Sequence, residues 1–424
     1  MKQEALTMGD HVTATPEEAK YQERLKRVED AISLREPDRL PVAPFFASVV
    51  QRLYDSSYKN LYYDFHKAGE AFLRFYRDYP QCDGHYCSGF TSGRANELAG
   101  STMIDWPGRP GTVVSDYSSH QVIEHEYMLP EEYHELLNDF TGFMIRKYIP
   151  RVYSNLKEIG DISFTPTVVL STGLLKPLYS SEMLRIYETL SQIGKLDAEA
   201  TAVLLDYTAK LGAMGVPGMF SGVSEVPYDI LGDYFRGTVG IMEDLFEYED
   251  EIAAACDMFA DQQIAAMQYL RVVPMPVKRI FFPMHKGMDG FMNPAQYEKL
   301  YWKPFKKIIL ALIDMGVTPY LYTEGRYNSR LEQLADVPKG KVIYHFETVD
   351  MKEAKRILGG IGCITGNLPV AMMEYGKKQE VIDTCKYLID TCAPGGGYIF
   401  DFNGSLENTK QENLDAMFNT LETY

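Results

Sequence analysis

Two apolar runs, Lys341-Val342-Ile343-Tyr344-His345-Phe346 and Gly362-Cys363-Ile364-Thr365-Gly366, bracket the stretch Val349-Asp350-Met351-Lys352-Glu353-Ala354-Lys355. Short apolar runs alternating with amphipathic segments are the pattern of parallel strands joined by crossover helices. Working outward, runs of the same kind occur at Lys278 to Met284 and Thr318 to Thr323 upstream and at Gly397 to Phe402 downstream. Between the first two, Asn293-Pro294 opens a helix that carries Tyr297, Leu300, Tyr301, Phe305, Ile308, Ile309 and Leu312 on its buried side, with Pro304 expected to bend it. Gly215 to Ser221 reads as another strand, and the apolar stretch Pro227 to Phe246 after it is broken by Gly232, Gly237 and Gly240. Pro41 to Phe46 and Gly84 to Phe90 complete a set of about eight strands, which favours a closed (β/α)₈ TIM barrel over an open sheet.

The ends of the chain fit one such unit, residues 1–424, with no Pro, Ser or Gly run to divide it. Thr15-Pro16-Glu17-Glu18 announces an N-terminal helix, within an extension over residues 1–36, that should run to about Leu34. Residues 84–211 are irregular and rich in aromatics and turns, as expected of an elaboration inserted at the barrel mouth, with a helix near Pro130 to Tyr148. Thr409-Lys410-Gln411-Glu412 reads as a capping box that starts the last helix.

The 424 residues are 46% hydrophobic and carry a net charge of −17, a balance unsuited to tracking nucleic-acid phosphates. No window is apolar for long enough to span a membrane, and the N-terminus, with Lys2, Glu4 and Asp10, lacks a signal-peptide core, so a cytoplasmic enzyme is expected. The six cysteines form no paired CxxC knuckles; Cys82 and Cys87 flank His85, a spacing read as buried structural thiols in preference to a metal site. His11, His66, His120, His125 and His134 show no ligand pattern.

Three segments then carry a family resemblance: Gly366-Asn367-Leu368-Pro369, Gly395-Gly396-Gly397-Tyr398-Ile399 leading to Glu412-Asn413, and the stretch Val349 to Lys355. Together they resemble the uroporphyrinogen decarboxylase superfamily, which implies a barrel and either porphyrinogen decarboxylation or corrinoid-linked methyl transfer. The decarboxylases carry an arginine cluster after strand 1 that grips the substrate's carboxylates; here the stretch reads Phe45-Phe46-Ala47-Ser48-Val49-Val50. Met284-His285-Lys286-Gly287-Met288-Asp289-Gly290-Phe291 and Tyr322-Thr323-Glu324-Gly325-Arg326-Tyr327 resemble the methyltransferase component of O-demethylases. That branch implies transfer of the methyl group of a phenyl methyl ether to the Co(I) of a corrinoid held by a separate partner protein. Methanogen relatives with thiol acceptors carry His-x-Cys on strand 5 and a Cys on strand 8 as zinc ligands; Tyr322, Glu324 and Asn403 stand there in this chain.

Catalytic groups of such a barrel sit at the C-terminal ends of its strands. His285 ends strand 4, Tyr322 and Glu324 strand 5, His345 and Glu347 strand 6, Asn367 strand 7, and Asp401 and Asn403 strand 8. A departing phenolate needs its developing charge met by a Lewis acid or a proton donor. Two arrangements stay open: a zinc held by Glu324 and His345 with Glu347, His285 or Asp401 as the third ligand, or a Glu324 whose pKa is raised so that it protonates the leaving oxygen, with His345, His285 and Tyr322 assisting. Tyr327 and Phe346, among 30 Tyr and 21 Phe, together with Asn367, Asp401 and Asn403, are the expected substrate contacts. The alternatives are a methylamine, methanol or methylated-glycine donor, or decarboxylation of a small acid anchored by Lys286 or Arg326.

Overall fold

The computed structural model describes residues 15–46, 48–165 and 172–424. His11, the rest of residues 1–14 and Ala47 lie outside the described residues. Six parallel strands follow one another in chain order: Gly222–Val223, Arg279–Met284, Thr318–Arg326, Ile343–Thr348, Cys363–Thr365 and Tyr398–Ile399. These are barrel strands 3 to 8. Strands 1 and 2 complete the ring through single bridges, Val42 to Phe400 and His85 to Gly218. Backbone bonds seal the joins: Ala43 N donates to Phe400 O at 3.1 Å, Asp83 N to Val42 O at 2.7 Å, and His85 N to Pro217 O at 2.9 Å. The ring is therefore a closed (β/α)₈ barrel.

Alternation along each strand explains why the strands read as continuous apolar runs. Phe281, Tyr320, Tyr322, Ile343, Cys363 and Ile399 form an interior cluster with Ala43 and Tyr86. Their neighbours Phe282, Leu321, Tyr344, Phe346 and Ile364 belong instead to the larger core between sheet and helices. The helix Pro16–Ile32, capped by the Thr15 hydroxyl that accepts from Glu18 N at 3.2 Å, adds Val28, Ala31 and Ile32 to the interior cluster. Its Glu29 also meets Arg279, at the start of strand 4, at 2.6 Å, so this helix closes the end opposite the expected site.

Several sequence expectations are adjusted. Strand 3 pairs with strand 4 at Gly222–Val223, just beyond the predicted Gly215 to Ser221, within which Pro217 O and Met219 N bond to His85 of strand 2. The helix after Asn293 has every predicted face residue buried, yet its interruption takes the form of a π turn, Tyr297–Trp302, ahead of Pro304. Thr409 does not cap the last helix; its hydroxyl donates to Met373 O at 3.3 Å, and the helix Gln411–Thr423 begins after Lys410. Within residues 84–211 the sequence reading missed a 33-residue helix, Ser181–Ala213, capped by Ser180 and packed on the helices Phe65–Asp78 and Gly93–Ala99. The expected helix near Pro130 to Tyr148 is split into Tyr133–Asn138, Phe140–Phe143 and the π turn Met144–Tyr148.

Candidate functional site

The chain that leaves strand 3 turns into a short helix and a π turn, Pro227–Asp229 and Ile230–Arg236, which set Asp229 and Asp233 one turn apart. Asp229 pins the end of strand 4: its carboxylate accepts from His285 N and Lys286 N, each at 2.9 Å, and from the Tyr301 hydroxyl at 2.7 Å. Asp233 holds the side chains of the same two residues. Its Oδ2 lies 2.6 Å from His285 Nδ1, and its Oδ1 accepts from Lys286 Nζ. A Cβ on Gly232 would sit 2.6 Å from Lys286 Cδ, so the lysine can pass only because that residue is glycine. The other ring nitrogen, His285 Nε2, faces Glu324 Oε1 at 3.6 Å.

Glu324 reaches this position through a bulge in strand 5. Thr323 pairs with Phe346 and Arg326 with Thr348, so three steps on strand 5 answer two on strand 6. The extra residue is accommodated at Gly325, whose φ of +85° suits glycine, and its freed N–H donates to Glu347. Glu324 is left with 45% of its side chain open at the mouth.

Charge is unevenly shared across this cluster. Burial opposes the charge of His285, but its bond to Asp233 and the carboxylates of Asp229 and Glu324 raise it to about 9. Burial lifts Glu324 above the usual carboxyl range against the pull of His285, with Glu347 adding to the rise. Burial likewise brings Glu225 up to about 7. Asp233 is also buried, yet His285 and Lys286 hold it below its ordinary value. At neutral pH the mouth thus holds a cationic imidazole with a proton to give, braced by an anionic Asp233 and facing a carboxyl whose proton affinity burial has raised.

Deeper in the barrel lies a second set. Asp401, fully buried, accepts from Phe45 N at 2.6 Å, Phe402 N at 2.7 Å, the Tyr86 hydroxyl at 3.2 Å and Thr365 Oγ1 at 3.4 Å. Its Oδ2 is 3.3 Å from His345 Nδ1, and Tyr322 packs on that imidazole with centroids 4.4 Å apart. Phe45, Phe281 and Phe220 continue the aromatic wall; Phe45 and Phe220 are only partly buried.

Residues 176–424 match the uroporphyrinogen decarboxylase (URO-D) family. The chain belongs to that family. Its fold is similar to that of a methyltransferase from Methanosarcina mazei, with a TM-score of 0.57 and 13% identity over 94% of this chain and 98% of the other. No curated protein matches the sequence. No helix among the described residues is long and apolar enough to cross a membrane.

In this member of the uroporphyrinogen decarboxylase family the sequence-predicted residues divide into two groups. His285 and Glu324 face each other at the mouth, and Tyr322 and His345 stack beneath it. Phe346 is turned into the helix layer, stacked on Tyr344 and wholly buried, because it lies one residue out of phase with His345. Tyr327 is buried too, its hydroxyl donating to Met284 O at 3.1 Å. Asn367 donates to Val349 O at 2.9 Å and Asn403 accepts from Val370 N at 2.8 Å, so both serve the loops that follow strands 6 and 7. Asp401 is consumed by six protein partners, Tyr320 among them.

Glu324, His345 and Glu347 do not gather as metal ligands, nor do any three His, Cys, Asp or Glu side chains among the described residues. His345 is sealed inside the barrel and Glu347 is turned to the bulge N–H. The donor set expected for zinc is therefore not assembled. Cys82 and Cys87 are likewise buried free thiols, which burial keeps protonated. Sequence reasoning missed Asp229, Asp233 and the structural use of Lys286. The i, i+4 spacing of the two aspartates in an apolar stretch was the signal available for them.

Proposed function

We propose that this chain is a methyltransferase that moves the methyl group of a phenyl methyl ether, of the guaiacol, veratrole or vanillate type, to the Co(I) of a corrinoid carried by a separate protein, releasing a phenol. The observation that carries this reading is the His285–Glu324 pair, 3.6 Å apart at the mouth, with His285 held cationic by Asp233. In the transfer the methyl–oxygen bond breaks, its electron pair stays on oxygen, and the methyl carbon is taken by the Co(I) electron pair. A phenolate is a poor leaving group unless its charge is met as it develops. The His285 imidazolium can supply a proton to that oxygen through Glu324, whose carboxyl burial raises above its ordinary range; the transfer acts on an atom that reaches the open face of Glu324. The partly open rings of Phe45 and Phe220 give a flat donor apolar walls without charge. The corrinoid is a second substrate, brought by its own protein.

A decarboxylase of a small acid would need an unpaired cation beside Glu324, and His285 there is already paired with Asp233. Lys286 is tied to Asp233 and Arg326 is exposed, which disfavours that reading. Methylamine, methanol and methylated glycine remain as rival donors, and aromatic walls favour the ether over each. The test mixes purified protein with a reduced corrinoid protein and each donor in turn, following the cobalt absorbance. Turnover with a methoxyphenol is expected; turnover only with an amine or an alcohol would overturn the donor, and none with any donor would overturn the methyl transfer.

A further inference from the structure

A cleft of about 820 Å³ opens beside strands 2 and 3 of the barrel, with neither His285 nor Glu324 in its lining. Its floor is made by strands 2 and 3, one wall by Leu204, Leu205 and Thr208 of the long helix, and the other by the loop from Tyr269 to Val277. The volume is within the range of about 300–1,000 Å³ that small-molecule sites occupy. None of the described residues that line it is Asp, Glu, Lys or Arg, although such residues make up 24% of the chain. Leu205, Val223, Tyr269 and Val273, all on its rim or walls, are exposed apolar side chains.

One polar group interrupts this lining. His85 is only 4% exposed, its Nδ1 accepts from Cys87 N at 3.2 Å, and its Nε2 has no hydrogen-bond partner. Burial pushes the ring down to about 3, so it is neutral, and with Nδ1 acting as the acceptor its one proton sits on Nε2. A buried N–H without an acceptor carries a desolvation cost that a bound oxygen would relieve. Gly218 stands across from it: a Cβ there would lie 3.6 Å from Nε2, in contact with the ring, so the glycine keeps that edge of the imidazole from being packed further.

We propose that this cleft binds a neutral, largely apolar small molecule that presents a carbonyl, ether or hydroxyl oxygen to His85 Nε2–H. The absence of charged lining excludes carboxylates, phosphates and amines as good ligands, since none would find a counter-charge to offset its desolvation. Phe220 borders both this cleft and the aromatic wall given to the methyl donor, but neither His285 nor Glu324 lines the cleft, and the proposal does not rest on the methyl-transfer reading.

The probe is Nile red, a flat neutral dye with a carbonyl oxygen at one end, whose emission shifts to the blue in apolar surroundings. Wild-type protein is expected to bind one equivalent saturably. Thr208→Trp, which fills the cleft from the helix, should abolish binding with the melting temperature unchanged, and Leu205→Arg on the exposed rim gives the same readout should the tryptophan variant misfold. His85→Phe keeps the ring but loses the donor, and should weaken binding by about 2- to 10-fold. Glu324→Gln should bind the dye as the wild type does. Dye binding that ignores the cleft substitutions overturns the proposal. So does a chain that is dimeric by light scattering, binds no dye and becomes monomeric in Leu205→Arg, since the cleft would then be covered by a second copy.

Discussion

At the end of strand 4 His285 Nδ1 lies 2.6 Å from Asp233, and on strand 6 His345 Nδ1 lies 3.3 Å from Asp401. The residue types are the same, and both histidines belong to strands of one sheet or their ends. The first is partly open, shares its aspartate with Lys286 and turns its free nitrogen toward Glu324. The second is sealed, and its aspartate also holds two backbone N–H groups and three hydroxyls. A histidine–aspartate pair becomes a proton donor only where a substrate can reach it; where it cannot, the same pair is a clasp across the barrel. On this comparison, changes at strand 4 should alter rate and pH dependence, and changes at Asp401 should alter stability.

The largest effect should come from Glu324→Gln. It keeps volume and a hydrogen-bonding tip but removes the acidic proton, so methyl transfer should slow by about 10²- to 10⁴-fold with an unchanged melting temperature. Single-turnover cobalt spectra measure it, and near-normal turnover would show that the open pair is not the donor. Next is Asp401→Ala, which strips a buried network of its acceptor and should cost about 3–5 kcal/mol in denaturant unfolding. A large loss of activity with stability intact would reverse the roles given to the two pairs.

Asp233→Asn should act on pH dependence. His285 is raised from 6.5 to about 9 in the fold, so its charged form is favoured there: its contribution is fully present below about 6.5 and is lost as pH rises through 9. Glu225, raised from 4.5 to about 7, favours its neutral form, and stability falls through that lower window. Wild-type stability should therefore decline in two steps. Asp233→Asn should flatten the upper step and move the alkaline limb of the rate profile to lower pH, whereas Glu225→Gln should flatten only the lower one. Urea titrations at half-unit pH intervals separate these outcomes. The smallest effect should be that of Tyr327→Phe, which removes one buried hydrogen bond to Met284 O; about 1 kcal/mol of stability should go, with the donor KM unchanged.

The barrel was legible in the chain because strands buried on both faces leave a local trace: the runs from Lys278 to Phe402 are largely apolar instead of alternating, and each helix between them carries its own apolar stripe. Strand-end position likewise pointed to His285 and Glu324 without coordinates. What the sequence could not decide was which neighbours those residues would meet. A one-residue phase difference turns Phe346 outward and His345 inward, a bulge at Gly325 spends Glu347 on a backbone N–H, and a π turn brings Asp233, 52 positions away, onto His285. The 33-residue helix and the cleft it walls were hidden for the same reason, since Leu205 and Tyr269 are remote in the chain and only tertiary packing sets them around His85. Periodicity is a property of neighbours in sequence and so fixes fold and strand ends, whereas pairing, protonation and access depend on distances that only the closed barrel defines.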